Sequence, residues 1–193
     1  MTIRPRRSVL YMPGSNARAI EKAKSLPVDG IIIDLEDAVA PDAKEAARTQ
    51  VADAVRAGGF GHREVMIRLN GIDAPSFAHD FDAATAARPD AILVPKISTP
   101  TQIEMIGTRL LDTRADHHVR LWAMIETPTA LFNIRALSTS PAVGENAALH
   151  GSIWLGWIRV LPSKPNSRAS AHSRAKPCVS PMSLKTPSTM SSP

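Results

Sequence analysis

Three carboxylates fall within four residues of the stretch Gly30-Ile31-Ile32-Ile33-Asp34-Leu35-Glu36-Asp37-Ala38-Val39-Ala40-Pro41. They follow directly on a run of isoleucines, the composition of a strand buried on both faces. In α/β proteins ligands bind beyond the carboxyl ends of such strands, so acids placed there could do chemistry. A plainer reading is a helix start, where Asp and Glu complement the dipole and Pro41 suits the first turn.

Other chemical groups recur at similar places. Arg68 stands in Met66-Ile67-Arg68-Leu69-Asn70. A guanidinium amid apolar residues is costly to bury unless it meets a carboxylate. It therefore reads as a structural ion pair with the acids of 34–37, as a group those acids orient for use, or as both. Lys96 follows Pro95, and Glu126 follows Ala123-Met124-Ile125. Lys96 could be a solvated loop lysine and Glu126 a helix cap. Together with Asp34, Glu36 and Asp37, however, Glu126 would make a carboxylate-lined mouth opposite an arginine. A hard divalent cation needs such oxygen ligands and would share them with a carboxylate-bearing substrate. Pro13-Gly14-Ser15-Asn16 could open a helix onto an anion, phosphate or carboxylate, although any strand–helix turn uses these residues. His117 and His118 are adjacent and face apart, the other histidines are isolated, and Cys178 has no activating neighbour. The chain contains no GxxxxGK[ST], GxGxxG or GxSxG pattern.

These groups need a scaffold, and the hydrophobic pattern describes one. It predicts strands at 8–12, 30–35, 64–70, 91–95 and 119–125. Helices are predicted at 16–26, 42–56, 76–87, 101–111 and 129–137, with Asn16 as an N-cap. Alternation of this kind means parallel strands joined by crossover helices. Periodicity alone leaves two architectures open, a doubly wound sheet and part of a (β/α)8 barrel.

The formal net charge of +5 suggests nucleic acid, but its distribution does not. Residues 1–145 hold 17 Lys+Arg and 18 Asp+Glu, whereas residues 146–193 hold 6 Lys+Arg and no acid. The excess belongs to the tail and is not clustered with aromatics that could stack bases. No apolar run reaches the roughly 20 residues of a membrane span, and no apolar stretch follows the basic N-terminus as a secretory signal would require. A single cysteine fits a reducing compartment, so a cytoplasmic location is expected.

Five segments in order, Arg7 to Asn16, Ile33 to Pro41, Ile67 to Asn70, Val94 to Lys96 and Ile125 to Pro128, resemble the citrate lyase beta-subunit-like family. This belongs to the HpcH/HpaI aldolase superfamily, with malyl-CoA and citramalyl-CoA lyases. The resemblance runs over roughly residues 5–145. It implies an incomplete (β/α)8 TIM-type barrel of about five to six strand–helix units. It also implies Mg2+-assisted cleavage of a 3-hydroxyacyl-CoA (citryl-, malyl- or citramalyl-CoA) to an acyl-CoA and an oxo acid. By the same resemblance Glu126 is a Mg2+ ligand and Arg68 binds the substrate carboxylate or oxo acid. Asp37 and Glu36 belong to the acidic cluster around metal-bound water. Pro13 and Gly14 lie near the acyl-CoA, with Lys96 beside the substrate. The family is commonly trimeric and acts on small molecules, not on nucleic acid or membranes.

One departure stands out. The family's second metal carboxylate is an Asp in a Gly-x-x-Asp-Leu motif at the sixth strand, and after Glu145 this chain has no acid for 48 residues. Residues 1–145 are therefore expected to form the partial barrel. Residues 146–161, an apolar segment foreign to the family, could pair as a sixth strand. Residues 162–193, with nine Ser and six Pro, are expected to be disordered. The abrupt change suggests a truncated or frameshifted reading of a longer gene. In that form activity would be impaired. Alternatives are an inactive remnant, or a small α/β protein that binds phosphate without catalysis.

Overall fold

The computed structural model describes residues 6–113 and 119–140, together with the backbone of 157–160. Its elements alternate as the pattern requires. They are β1 (Val9–Pro13), α1 (Ala17–Ala23), β2 (Gly30–Asp34), α2 (Lys44–Ala57) after a 3-10 turn at Pro41–Ala43, β3 (Glu64–Arg68), α3 (Phe77–Ala87), β4 (Ala91–Val94), α4 (Pro100–Asp112), β5 (Arg120–Met124), α5 (Pro128–Phe132), α6 (Ile134–Ser138) and β6 (Trp157–Val160).

The sheet order is β1-β2-β3-β4-β5-β6, and the first four pairings are parallel. Chain order equals spatial order, so there is no point at which the winding reverses. A doubly wound sheet has such a reversal and a barrel does not. The described part is therefore a run of five consecutive barrel-type strands. β6 joins as a sixth strand but runs antiparallel to β5, with Leu121 opposite Val160 and Met124 opposite Trp157. The barrel implied by the resemblance would put a parallel strand there. The other residues of 146–161 and the whole of 162–193, expected to be disordered, lie outside the described residues.

Alternation within each strand separates two faces. Ile31, Ile33, Ile67, Ile92, Val94 and Leu121 face the helices and form the main core with Val51, Phe81 and Ile106. On the other face Ile32, Met66, Ala91, Leu93 and Trp122 make a second, smaller cluster. This is the face that a barrel turns inward. Helix starts follow capping chemistry. Asn16 accepts the Ala19 N–H, and Thr99 with Gln102 forms a capping box ahead of Pro100 at the first helical position. The helix expected at 129–137 is broken in two at Asn133, whose φ of −94° and ψ of 6° leave the helical region. Its side-chain amide donates instead to Ser98 O at 2.9 Å.

Candidate functional site

Pairing register assembles the site. Pro13, Asp34, Arg68, Leu93 and Trp122 are successive cross-strand partners, a row across the inward face that lies at the carboxyl ends of β1, β2 and β3 and reaches the middle of β5. Asp34 and Arg68 stand opposite each other, a favourable placement for unlike charges. Arg68 Nη1 donates to Asp34 Oδ2 at 3.1 Å, while Nη2 meets Asp37 Oδ2 at 2.9 Å and also Glu36. The Arg68 and Asp34 side chains are only 8% and 5% exposed. Burial pulls the guanidinium pKa down, but Asp34, then Glu36 and Asp37, outweigh it, so the net shift is upward and the group stays charged.

The ion pair expected between Arg68 and the 34–37 acids is thus present, with all three acids taking part. It does not use up the arginine. A guanidinium carries five N–H groups, and among the described residues Nε has no hydrogen-bond partner.

Lys96 links the other groups. Its Nζ lies 2.8 Å from Glu36 Oε1, and its backbone N–H donates to Glu126 Oε1 at 2.9 Å. Its φ of 58° is left-handed, which costs a residue with a side chain about 1–3 kcal/mol and persists only where the surroundings hold it. Here two acids hold it, Glu36 from beyond β2 and Glu126 from beyond the neighbouring β5. The ion pair with Glu36 raises the ammonium pKa. Asp34 in turn accepts from the N–H groups of Glu36 at 2.7 Å and Ala38 at 3.2 Å, which fixes the turn carrying the acids.

A cleft of about 320 Å³ opens beside these groups, walled by Glu36, Asp37, Lys44, Asn70, Asp73 and Lys96. Gly14, expected near a ligand, is buried against its own chain. A Cβ there would meet Asp34 O and Val51 Cγ2, each at 2.8 Å, so packing accounts for the glycine. Pro13 occupies the rim layer next to Asp34.

Two contributors escaped the sequence reading. Tyr11, 41% exposed on β1, has its phenol pKa pushed up by burial; Arg68 opposes this, and Asp34, Glu126 and Glu36 reinforce it. The phenol stays protonated, a neutral donor near the mouth. Lys44 donates to Leu35 O and Glu36 O at 2.9 Å and to Asn70 Oδ1 at 2.7 Å. Hydrophobic patterning carries no signal for either residue.

Among the described residues no three His, Cys, Asp or Glu side chains converge as a metal cage. Asp34 and Glu36 are held against cations. Glu126 is exposed at the rim, with Oε1 on the Lys96 amide. Magnesium commonly takes one or two carboxylates and completes its shell with water and substrate, so Glu126 fits as one ligand.

An inward-facing arginine held by acids thus lies at the carboxyl ends of sequentially ordered parallel strands, the end at which barrel folds place their ligand sites. The chain belongs to the HpcH/HpaI aldolase/citrate lyase family, which it matches over residues 7–147. It is 41% identical over 137 residues to the (3S)-malyl-CoA thioesterase of Cereibacter sphaeroides, covering 71% of this chain and 46% of that protein. It is 31% identical over 151 residues to the mitochondrial citramalyl-CoA lyase of Mus musculus, covering 72% and 45%. The fold is similar to that of the M. tuberculosis citrate lyase beta subunit solved with oxaloacetate and magnesium. That likeness has a TM-score of 0.54 and 23% identity, and covers 68% of this chain and 52% of the other. The chain spans about half the length of the curated relatives it matches. No described helix is long and apolar enough to cross a membrane.

Proposed function

We propose that the chain carries the carboxylate-recognising part of an acyl-CoA carbon–carbon lyase site, acting on a 3-hydroxyacyl-CoA such as malyl- or citramalyl-CoA. The observation that carries this reading is the buried Arg68 guanidinium, held by Asp34, Glu36 and Asp37, of which Glu36 and Asp37 also wall the open cleft.

In the cleavage the substrate hydroxyl gives its proton to Asp37 and its oxygen becomes the carbonyl of the departing oxo acid. The bond between the hydroxyl carbon and the carbon next to the thioester breaks, and its electron pair forms the thioester enolate. A proton then returns to that carbon. Arg68 holds the substrate carboxylate. Asp37, exposed in the cleft wall with one oxygen on Arg68, accepts a hydrogen bond from the reacting hydroxyl. Lys96 and the neutral Tyr11 phenol supply donors where charge develops. A Mg2+ held in part by Glu126 would polarise the oxygen that becomes the carbonyl. Assembly into oligomers is an expectation of the resemblance, and a cytoplasmic location one of the single cysteine.

The full chain incubated with malyl-CoA or citramalyl-CoA and Mg2+ should release an oxo acid, trapped as its phenylhydrazone, without free thiol. The identity to a thioesterase favours a second reading, hydrolysis of the thioester, in which free CoA thiol appears without oxo acid. Neither product from either substrate would overturn both readings for this chain. Glu126→Ala should abolish calorimetric Mg2+ binding, and unchanged affinity would remove Glu126 as a ligand.

A further inference from the structure

From the cleft wall inward runs a polar network that the proposed chemistry does not use. Asp80, on α3, is fully buried and accepts from Asn70 N–H at 3.2 Å, Asn70 Nδ2 at 2.5 Å and Arg48 Nε at 2.7 Å. With Asn70 Nδ2 engaged there and on Leu35 O at 3.0 Å, the amide oxygen is left to face Lys44. Lys44 Nζ places its three hydrogens on three uncharged oxygens, Asn70 Oδ1 and the carbonyls of Leu35 and Glu36.

Those carbonyls matter because the ladder ends here. Beyond Asp34 the chain leaves the sheet, and buried backbone groups need other partners. Leu35 N–H reaches Arg68 O at 2.9 Å, and Glu36 N–H reaches Asp34 Oδ1 at 2.7 Å. Lys44 takes both carbonyls, sharing Leu35 O with Asn70 Nδ2 and Glu36 O with the Val39 N–H at 3.2 Å. Four polar groups of two consecutive residues are thereby fixed, and one of the two is the Glu36 that grips Arg68 and Lys96.

We infer that Lys44, backed by Asn70 and Asp80, is a positioning residue for Arg68: it anchors the Leu35–Glu36 turn from which the acids hold the guanidinium. This rests on the reading of Arg68 as the substrate-carboxylate group, but the test needs no turnover. The Arg68 side-chain Nε–H resonance of the full chain, assigned by its loss in Arg68→Lys, is followed without ligand in Lys44→Met. It should shift and exchange with water about tenfold faster, the factor that corresponds to losing one net hydrogen bond. Lys44→Arg keeps the charge, but its planar fork cannot serve three converging oxygens, so it should show the same change. An unmoved Arg68 signal in either folded variant would overturn the inference. So would loss of the whole fold in both, because the role assigned is local to the rim. A chain in which Lys44→Met moves the signal but wild type cleaves no acyl-CoA would instead refute the lyase reading alone.

Discussion

The two ends of the sheet's inward face hold ion clusters of opposite design. At the amino end one acid sits between two arginines. Glu64 has no exposure and meets Arg120 Nη2 at 2.9 Å and Arg6 Nη2 at 2.9 Å. Arg6 also covers Trp122, 5.2 Å from the ring centroid, and Arg120 Nε donates to Asp90 O at 3.2 Å. At the carboxyl end the ratio inverts, with Asp34, Glu36, Asp37 and Glu126 set against Arg68 and Lys96. The amino-end cluster has an arginine in excess and is packed against an indole, and reads as a plug. The carboxyl-end cluster has surplus acid, an open cleft and donors left over. Burial of charge alone therefore does not mark a site in this fold. Surplus acid beside an opening does.

The sharpest way to break that contrast is to remove the minority charge at each end. Arg68→Ala leaves Asp34 and Glu36 buried without a guanidinium, and should cost about 3–5 kcal/mol. Glu64→Ala leaves two arginines that are less deeply buried, 16% and 22% exposed, and that keep other contacts, so about 2 kcal/mol is expected. Urea unfolding of both variants measures the difference. Equal losses would mean that the rim is as purely structural as the plug.

This contrast was only half legible in the sequence. The rim acids and Arg68 stand at the ends of apolar runs, where a period-two pattern stops and any charge is conspicuous. The strand boundaries agree with those runs to within two residues. The plug was invisible because Glu64 follows a turn and reads as an exposed strand start, while its partners Arg6 and Arg120 lie 58 and 56 positions away. Asp80 and Lys44 were hidden for a different reason. An acid in the first turn of α3 reads as a dipole partner, and a lysine opening α2 reads as solvated. Only the packing of α2 and α3 onto the strand ends reveals that both point inward to Asn70. Sequential strand order, which separates a barrel from a doubly wound sheet, is likewise a property of pairing and not of periodicity.

A second, smaller test concerns backbone at the rim. Lys96 holds a left-handed φ while its N–H serves Glu126. Glycine adopts that φ without penalty, whereas alanine does not. Both substitutions delete the ammonium that pairs with Glu36, so their difference isolates the strain. Lys96→Gly should be about 1 kcal/mol more stable than Lys96→Ala in urea unfolding. The reverse order would mean that the neighbouring acids do not hold this turn.

The smallest expected effect belongs to the amino end, and pH reveals it. Asp29 and Asp90 stand just before β2 and β4 and clasp the preceding strand alike. Asp29 Oδ2 accepts from Arg7 N–H at 2.7 Å and Ser8 N–H at 3.1 Å, and Asp90 Oδ2 accepts from Val65 N–H at 2.8 Å. The Arg7 backbone N–H, followed by its guanidinium, lowers the Asp29 pKa below its ordinary 3.8. A depressed folded-state pKa contributes stability above the unfolded value and loses it as pH falls through the folded one. Wild type should therefore exceed Asp29→Asn in melting temperature at every pH above about 3.8. The gap should close as the solution is acidified below that. Subtracting the two curves cancels the groups that the two proteins share. A gap that persists unchanged in acid would show that the Asp29 clasp works by shape and not by charge, unlike every other acid compared between the two ends.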